Sequence, residues 1–281
     1  MKTYIKIKLV LIALIFASCT DVVDVNVPEA EPRLVIEASL DWEKGTAGNE
    51  QTIKLSLSSP YFTNTVNPIV TGASVVVTND NDGTEFIFED QNNGNYTTTN
   101  FVPVVNQSYT LQVVYLNETY IAHETLMAVS DIDEISQSRE GGFDKDLLEV
   151  NIYYNDPIDE ENFYLIRYIE EGDILPYIED ASDEFTNGNR MTDFFEKEND
   201  EDINQKEFES GDIVYINLFG ISEQYHNFIR LLINQYDSVG NPFDSTPVTL
   251  KGNCQNINNP SNYAFGYFRL TQVVKASYTF Q

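Results

Sequence analysis

Cys19 is the residue whose setting most plainly invites chemistry. It follows Phe16-Ala17-Ser18 at the end of an apolar run from Leu9 to Ala17, and Lys2, Lys6 and Lys8 precede that run with no acid among them. A basic start, a short apolar stretch and small residues at a cut site make an export signal. The run is well short of the roughly 20 residues that span a bilayer. The ending reads as a lipobox, with cleavage before Cys19 and acylation of its thiol. Phe16 stands where Leu is more usual, which is a departure from that pattern. Acyl methylenes buried in a bilayer contribute about 0.8 kcal/mol each, so two or more chains on Cys19 hold a protein at a membrane. The expectation is a signal over residues 1–18 and a lipid anchor, such as palmitate, on Cys19.

Other reactive residue types are few. With Cys19 acylated, Cys254 has no disulfide partner within the chain and reads as a small buried residue. The two histidines, His123 and His226, are too few for a histidine-rich zinc site. No Gly-x-Ser-x-Gly elbow and no glycine-rich phosphate loop occurs. Asp200-Glu201-Asp202-Ile203-Asn204 spaces its oxygens as an EF-hand begins, yet Gln205 stands where glycine is needed and Gly211 where the closing carboxylate belongs. A looser surface calcium site in that acidic stretch stays open, beside a plain solvated loop. Paired carboxylates would suit a glycosidase, but 45 acids identify no pair. The expectation is therefore no catalytic residue, no cofactor and no metal ligand.

Charge narrows the partners. Losing the three signal lysines takes the net charge from −29 to −32. Such a surface repels phosphate backbones, so no nucleic acid is expected. It also disfavours anionic headgroups, leaving the acyl anchor as the contact with the membrane.

The elements that would position any site are mainly strands. Residues 19–31 read as a tether. From Arg33 to about Met127, Leu34-Val35-Ile36, Ile53-Lys54-Leu55, Ser74-Val75-Val76-Val77, Glu85-Phe86-Ile87-Phe88, Asn95-Tyr96, the run from Tyr109 to Tyr115 and Thr119-Tyr120-Ile121 recur as short β-runs. An Asp82-Gly83 turn joins two of them as a hairpin. Seven such runs over residues 32–128 predict an immunoglobulin-like β-sandwich, a fold that by itself implies no activity. Residues 129–281 predict a second β-rich domain, with strands near Ile132, Val150, Phe163 and Ile213 and closing strands over 246–251, 263–270 and 273–280. Between its strands, residues 170–212 hold sixteen acids against Arg190, Lys197 and Lys206, which predicts an exposed, partly ordered insertion. Ser222 is a suitable N-cap, and Tyr225, Phe228, Ile229, Leu232, Ile233 and Tyr236 recur at helical spacing. These predict one amphipathic helix over 222–236 with a face against a sheet.

Taken in order, several of these pieces resemble a family. They are Cys19 with its acidic followers, Arg33-Leu34-Val35-Ile36-Glu37, Gly72-Ala73-Ser74-Val75, Gly94-Asn95-Tyr96 and Tyr109-Thr110-Leu111. Asp156-Pro157 with Asn162-Phe163-Tyr164, Phe185-Thr186-Asn187-Gly188, Gly211-Asp212-Ile213-Val214, Gly240-Asn241-Pro242-Phe243 and Gly266-Tyr267-Phe268 follow. The chain resembles a domain-of-unknown-function family of Bacteroidota outer-membrane lipoproteins, often encoded beside TonB-dependent (SusC-like) receptors. Cys254 departs from it, standing where the family tends to carry an aliphatic residue. The resemblance implies a cell-surface or outer-membrane lipoprotein with an outer-membrane β-barrel receptor as partner, and it carries over no catalytic residue. Thr20-Asp21-Val22-Val23-Asp24 gives only a split acidic signal for surface display, so the periplasmic face stays open. The leading expectation is a non-enzymatic binding or accessory protein in nutrient capture. A structural subunit of a surface assembly is the alternative, and a polysaccharide or peptide hydrolase is a third reading.

Overall fold

The computed structural model describes residues 31–60, 66–201, 205–237 and 250–281. Cys19, the signal, the tether up to residue 30, the Gly240-Asn241-Pro242 turn and residues 246–249 of the expected 246–251 strand lie outside the described residues.

Period-two burial builds the first core. β1 (Leu34–Glu43), β2 (Gln51–Leu57), β3 (Ser74–Asn79), β4 (Glu85–Asp90), β5 (Asn95–Thr98), β6 (Ser108–Tyr115) and β7 (Glu118–Thr125) each turn alternate side chains inward. Leu34, Ile36, Ala38 and Leu40 from β1 meet Val75, Val77, Leu111, Val113 and Ala122 from the opposite layer. The hairpin at Gly83 forms, with Thr78 opposite Glu85. β4 pairs with β3 along Glu85 to Phe88 and then with β5 at Glu89 and Asp90, so one sheet curls over to supply both layers. Tyr109, buried at the start of β6, donates its hydroxyl proton to Val102 O (2.9 Å) and accepts from Val104 N (2.9 Å). A tyrosine bonding back to backbone just upstream at this corner is a mark of immunoglobulin-like sandwiches. The expected immunoglobulin-like sandwich is present, and Cys254, Ala264, Phe268 and Leu270 from beyond residue 128 complete its core.

The second half is also two-layered. β8 (Ile132–Ser138) and β9 (Glu149–Asn155) join β12 (Arg190–Glu196) in a three-stranded sheet of order β12-β9-β8. Across Val150, Ile152, Tyr154, Tyr164, Ile166, Tyr168, Ile216 and Leu218 it faces β10 (Phe163–Glu170), β11 (Tyr177–Ser182) and β13 (Ile213–Ile221). The stretch expected as a partly ordered acidic loop thus contributes two strands, β11 and β12. A strand needs only one apolar face: Tyr177 and Ala181 supply it on β11 and Met191 and Phe195 on β12, while Ile178 packs on the other side of β11 beneath α1.

The closing strands expected at 263–270 and 273–280 are one strand, β15 (Phe265–Thr279). Its first part pairs in parallel with β1 from Val35↔Phe265 to Glu43↔Val273, and its second part runs antiparallel to β13 from Phe219↔Val273 to Ile213↔Thr279. A two-residue strand, β14 (Gln255–Asn256), edges β7. The single described helix, α1 (Glu223–Asp237), begins as its sequence predicts, with Ser222 Oγ accepting from Tyr225 N at 3.1 Å. Tyr225, Phe228, Ile229 and Ile233 pack on Leu165, Phe219, Tyr267 and Val273. Leu232 and Tyr236, expected on the same stripe, are instead exposed at 43% and 77%. The helix has left the sheet by its last turns.

Where the halves meet, backbone approaches backbone. A Cβ on Gly220 would lie 1.7 Å from Ala128 O. Gly220 has an ordinary backbone conformation, so its need for glycine comes from this contact alone. Gly220→Ala should therefore lower stability by roughly 2 kcal/mol or more through forced separation of β13 from the 128–129 segment. Urea unfolding measures it, and a variant within about 0.5 kcal/mol of wild type would show that the contact yields freely.

Candidate functional site

Five aromatic rings form a ladder through the second half. Tyr177 stacks on Phe195 (4.9 Å, 12°), Phe195 meets Phe208 at 5.3 Å, and Phe208 stacks on Phe280 (4.5 Å, 19°). Tyr168 flanks Phe195 at 5.3 Å. Such pairs contribute about 0.5–1.5 kcal/mol beyond area burial. The outer end of the ladder opens as a cleft of about 530 Å³ floored by Tyr177 and Phe195 and rimmed by Glu196, Glu198, Asp200 and Glu201. A second hollow of about 290 Å³ continues past Phe143 and Phe194.

Lys197 sits in the wall. It is buried, ion-paired with Glu170, and its Nζ lies 4.5 Å over the Phe208 ring. Its charge is thus spent within the protein, and the rim stays negative. The loop over the mouth is fixed by that rim. Glu196 Oε1 accepts from Phe143 N (2.9 Å) and Asp144 N (3.3 Å), and Gly141 N donates to Glu149 Oε1 (2.7 Å). A Cβ on Gly142 would lie 1.9 Å from Glu196 Oε2, so a larger residue there would make that carboxylate shift. Burial alone would raise Glu149, but bonds from Ser138, Gly141 and Asn151 outweigh it and hold the carboxyl below its usual range.

Asp193 lies beneath the same cleft and accepts from Tyr168 Oη at 2.7 Å. Burial, helped by the charge of Glu179, pushes its carboxyl up to about 7 against the Tyr168 bond. Glu124, buried between the halves, is likewise pushed up to about 7 by burial. Chemically, the cleft offers flat rings to a sugar face or a cationic side chain, with carboxylates to accept hydroxyl or ammonium protons.

The residues singled out from sequence go elsewhere. His123 is exposed, its Nδ1 2.8 Å from Thr110 Oγ1. His226 is buried on α1 with Nε2 2.8 Å from Asp180 Oδ2 and its ring 4.9 Å from Phe163. The two do not converge. Cys254 is 2% exposed in the first core, and burial pushes its thiol up to about 12, which fits the structural role read from sequence. In the acidic run Asp200 pairs backbone-to-backbone with Gln205, while residues 202–204 lie outside the described set. Among the described residues no three of histidine, cysteine, aspartate and glutamate gather as metal ligands. The cleft is not legible locally because its rings come from β11, β12 and the 141–144 loop. The Phe194-Phe195 pair inside an acid-rich stretch was the one local sign.

Comparison with known proteins adds a family. The profile of a domain of unknown function, DUF4249, matches residues 20–277. Among curated proteins none matches the sequence. The FN1–FN3 domains of chicken CNTN1 align at 13% identity over 69% of this chain, which spans 62% of that segment, with a TM-score of 0.27. Two fibronectin type-III domains of chicken tenascin align at 10% over 68% and 91% of the two chains, with a TM-score of 0.21. A DUF4785 family protein of Legionella pneumophila aligns at 9% over 66% and 52%, with a TM-score of 0.28. Scores this low carry no argument about function.

Asp193 sets a pH dependence. Between its unfolded value near 4 and its folded value near 7, the folded chain holds a proton that the unfolded chain has released. The resulting stabilisation is full below pH 4 and is lost as pH rises through 7, on the order of 4 kcal/mol in all. Glu124 acts in the same direction. Urea midpoints should fall from pH 5 to pH 8, and Asp193→Asn should flatten about half of that fall. An equal slope in wild type and variant would place the titration elsewhere.

Proposed function

This chain belongs to the DUF4249 family, and from that premise we propose that it is a lipid-anchored accessory protein of a Bacteroidota outer membrane, binding ligand beside a TonB-dependent β-barrel receptor. The observation that carries the reading is the N-terminal address. A basic start, the apolar run from Leu9 and Ala17-Ser18-Cys19 are followed by a short acidic stretch before β1 begins at Leu34. Acylation of Cys19 would tether the β-rich body to the bilayer through the stretch between Cys19 and Leu34. No helix among the described residues is long and apolar enough to cross a membrane.

The acidic aromatic cleft supports a binding role for that body. Its rings and carboxylates suit a neutral polyhydroxylated or a cationic ligand and disfavour an anionic one. Neither histidine nor Cys254 lines it, and the reading is non-enzymatic.

Cys19→Ala carries the test. In cells fed labelled palmitate, wild type should take label and sediment with membranes, and the variant should do neither. Label on the variant, or wild type left entirely in the soluble fraction, would overturn the anchor. Gentle detergent extraction with the chain as bait should recover a β-barrel protein, and its repeated absence would overturn the partnership while leaving the anchor standing.

A further inference from the structure

At the end of β9 away from the cleft, three buried polar side chains converge, and two of them, Asn162 and Asp183, lack the donors that would satisfy their oxygens. Asp183 is 0% exposed, and neither of its carboxylate oxygens receives a hydrogen bond from any described group. Asn162 is 8% exposed, and its Oδ1 is also without a donor. Asp156 is 6% exposed and within hydrogen-bonding reach of Asp183, carboxylate to carboxylate.

Sheet geometry explains why they meet. Phe163 is opposite Ser182 in the β10–β11 pairing, and Asp183 N donates to Asn162 O (3.2 Å) as the ladder runs out. Opposed residues of an antiparallel pair share a face, so Asn162 and Asp183 point the same way. By period two, that way is also the way of Tyr164, into the space between the layers. Tyr164 Oη donates to Asp156 Oδ1 at 2.7 Å, closing the group from the β9 side.

The surrounding backbone is shaped to hold these groups in place. Gly188 N donates to Asp156 Oδ2 (3.0 Å), and Asp156 N donates to Asn189 O (3.1 Å). Thr186 N donates to Asp183 O (2.7 Å), and Asn187 Nδ2 reaches Glu160 O (3.2 Å). Gly188 sits at φ +74°, and a Cβ there would meet the Ile158 side chain at 2.6 Å. Residues 183–189 are thereby folded down onto residues 156–162, carrying two carboxylates into one buried place.

Two like charges buried side by side are costly unless something positive lies between them or one is protonated. No lysine or arginine contact is recorded at either carboxylate among the described ion pairs. We propose that Asp156, Asn162 and Asp183 form a binding site for a hard divalent cation, Ca²⁺ in particular, at the open end of the second sandwich.

The donor set is all oxygen: two carboxylates and a neutral amide carbonyl. Calcium accepts about six to eight oxygens at roughly 2.3–2.6 Å in flexible geometry, with water completing the shell. Magnesium demands near-octahedral geometry at shorter distances, which two carboxylates and an amide fixed by the surrounding backbone suit less well. Tyr164 and Gly188 N hydrogen-bond Asp156 as outer groups do around a ligating carboxylate. The cation would pin the 183–189 loop to β9 and β10 and set the end of the sandwich. This place is distinct from the Asp200-Glu201-Asp202 run at which the sequence hinted.

Thermal unfolding of the mature chain, stripped with chelator and then given millimolar Ca²⁺ or Mg²⁺, tests the site. Wild type should melt several degrees higher in Ca²⁺ than in chelator, with a smaller shift in Mg²⁺. Asp183→Asn keeps the side chain's size and relieves the repulsion, so it should fold and lose the Ca²⁺ response. Terbium luminescence excited through tyrosine should appear on wild type and be dimmed by Tyr164→Phe. Glu201→Gln in the acidic run should leave all of this unchanged. A wild type that melts identically with and without Ca²⁺ would overturn the proposal, and would do so decisively if acidification stabilised it, since the two carboxylates would then share a proton. A full response retained by Asp183→Asn, or abolished by Glu201→Gln, would overturn it as well.

Discussion

The pairing of β15 with two different partners is the constraint on which the rest of the molecule depends. Its fifteen residues serve β1 in parallel and then β13 antiparallel, so one extended backbone satisfies the hydrogen bonds of both sandwiches. Its even-numbered residues enter the interiors: Phe268 and Leu270 the first core, Val274 and Tyr278 the second. Its odd-numbered residues Tyr267 and Val273 face α1. Residues 267–273 are consequently buried on both faces, as in a strand covered on each side. A parallel neighbour cannot be made by a hairpin, and here the chain runs through the whole second half before β15 returns to β1.

A strand covered on both faces must satisfy its polar side chains inside the protein. Arg269 projects toward α1 at 8% exposure, with Nη2 2.7 Å from Asp41 Oδ1 and Nη1 3.3 Å from Tyr225 Oη, and its guanidinium lies 5.1 Å from the centre of the Phe219 ring. Burial opposes the charge, and the Asp41 carboxylate more than offsets it, holding Arg269 above its usual range. A buried ion pair is weak evidence of net stability. Its geometric effect here is to tie β1, β15 and the helix at one point. Asn253 does similar work next door, bridging Phe268 N and O at 2.8 Å each.

With the two cores held along β15, the second sandwich has two open ends, and its acids gather at both. At one end the carboxylates rim an aromatic cleft, and the backbone N–H groups of the 141–144 loop turn toward Glu149 and Glu196. At the other, Asp156 and Asp183 are driven together by a descending loop. The strongly negative balance of the chain is thus partly an architectural property. Some acids are solvated, some are capped by backbone, and a few are buried where their protonation or partner must respond to the surroundings.

Local physics made much of this legible from the residues alone. Alternation in Val75-Val76-Val77 and Tyr109-Thr110-Leu111, the Asp82-Gly83 turn and the Ser222 cap each act within a few residues, and each appears as read. So does the burial of Cys254. The first break came at residues 170–212, where charge density suggested a loop although Tyr177 and Ala181 supply the apolar face that β11 needs and Met191 and Phe195 that of β12. The second came at Thr271-Gln272, whose polar character suggested a break between two strands. Thr271 is buried there, its hydroxyl donating to Asp41 Oδ1 at 3.2 Å. Leu232 and Tyr236 have helical spacing, but the sheet beneath them ends too soon.

What the sequence determined by itself was therefore short-range: a β-rich chain, one capped helix and its charge. Only the tertiary structure decided that one strand serves two cores, that rings from three segments make a cleft, and that Asp156 and Asp183 meet. The physical reason is common to all three. Pairing register and burial depend on which distant strand lies alongside, and a carboxylate 27 positions away leaves no periodic trace in the residues around its partner.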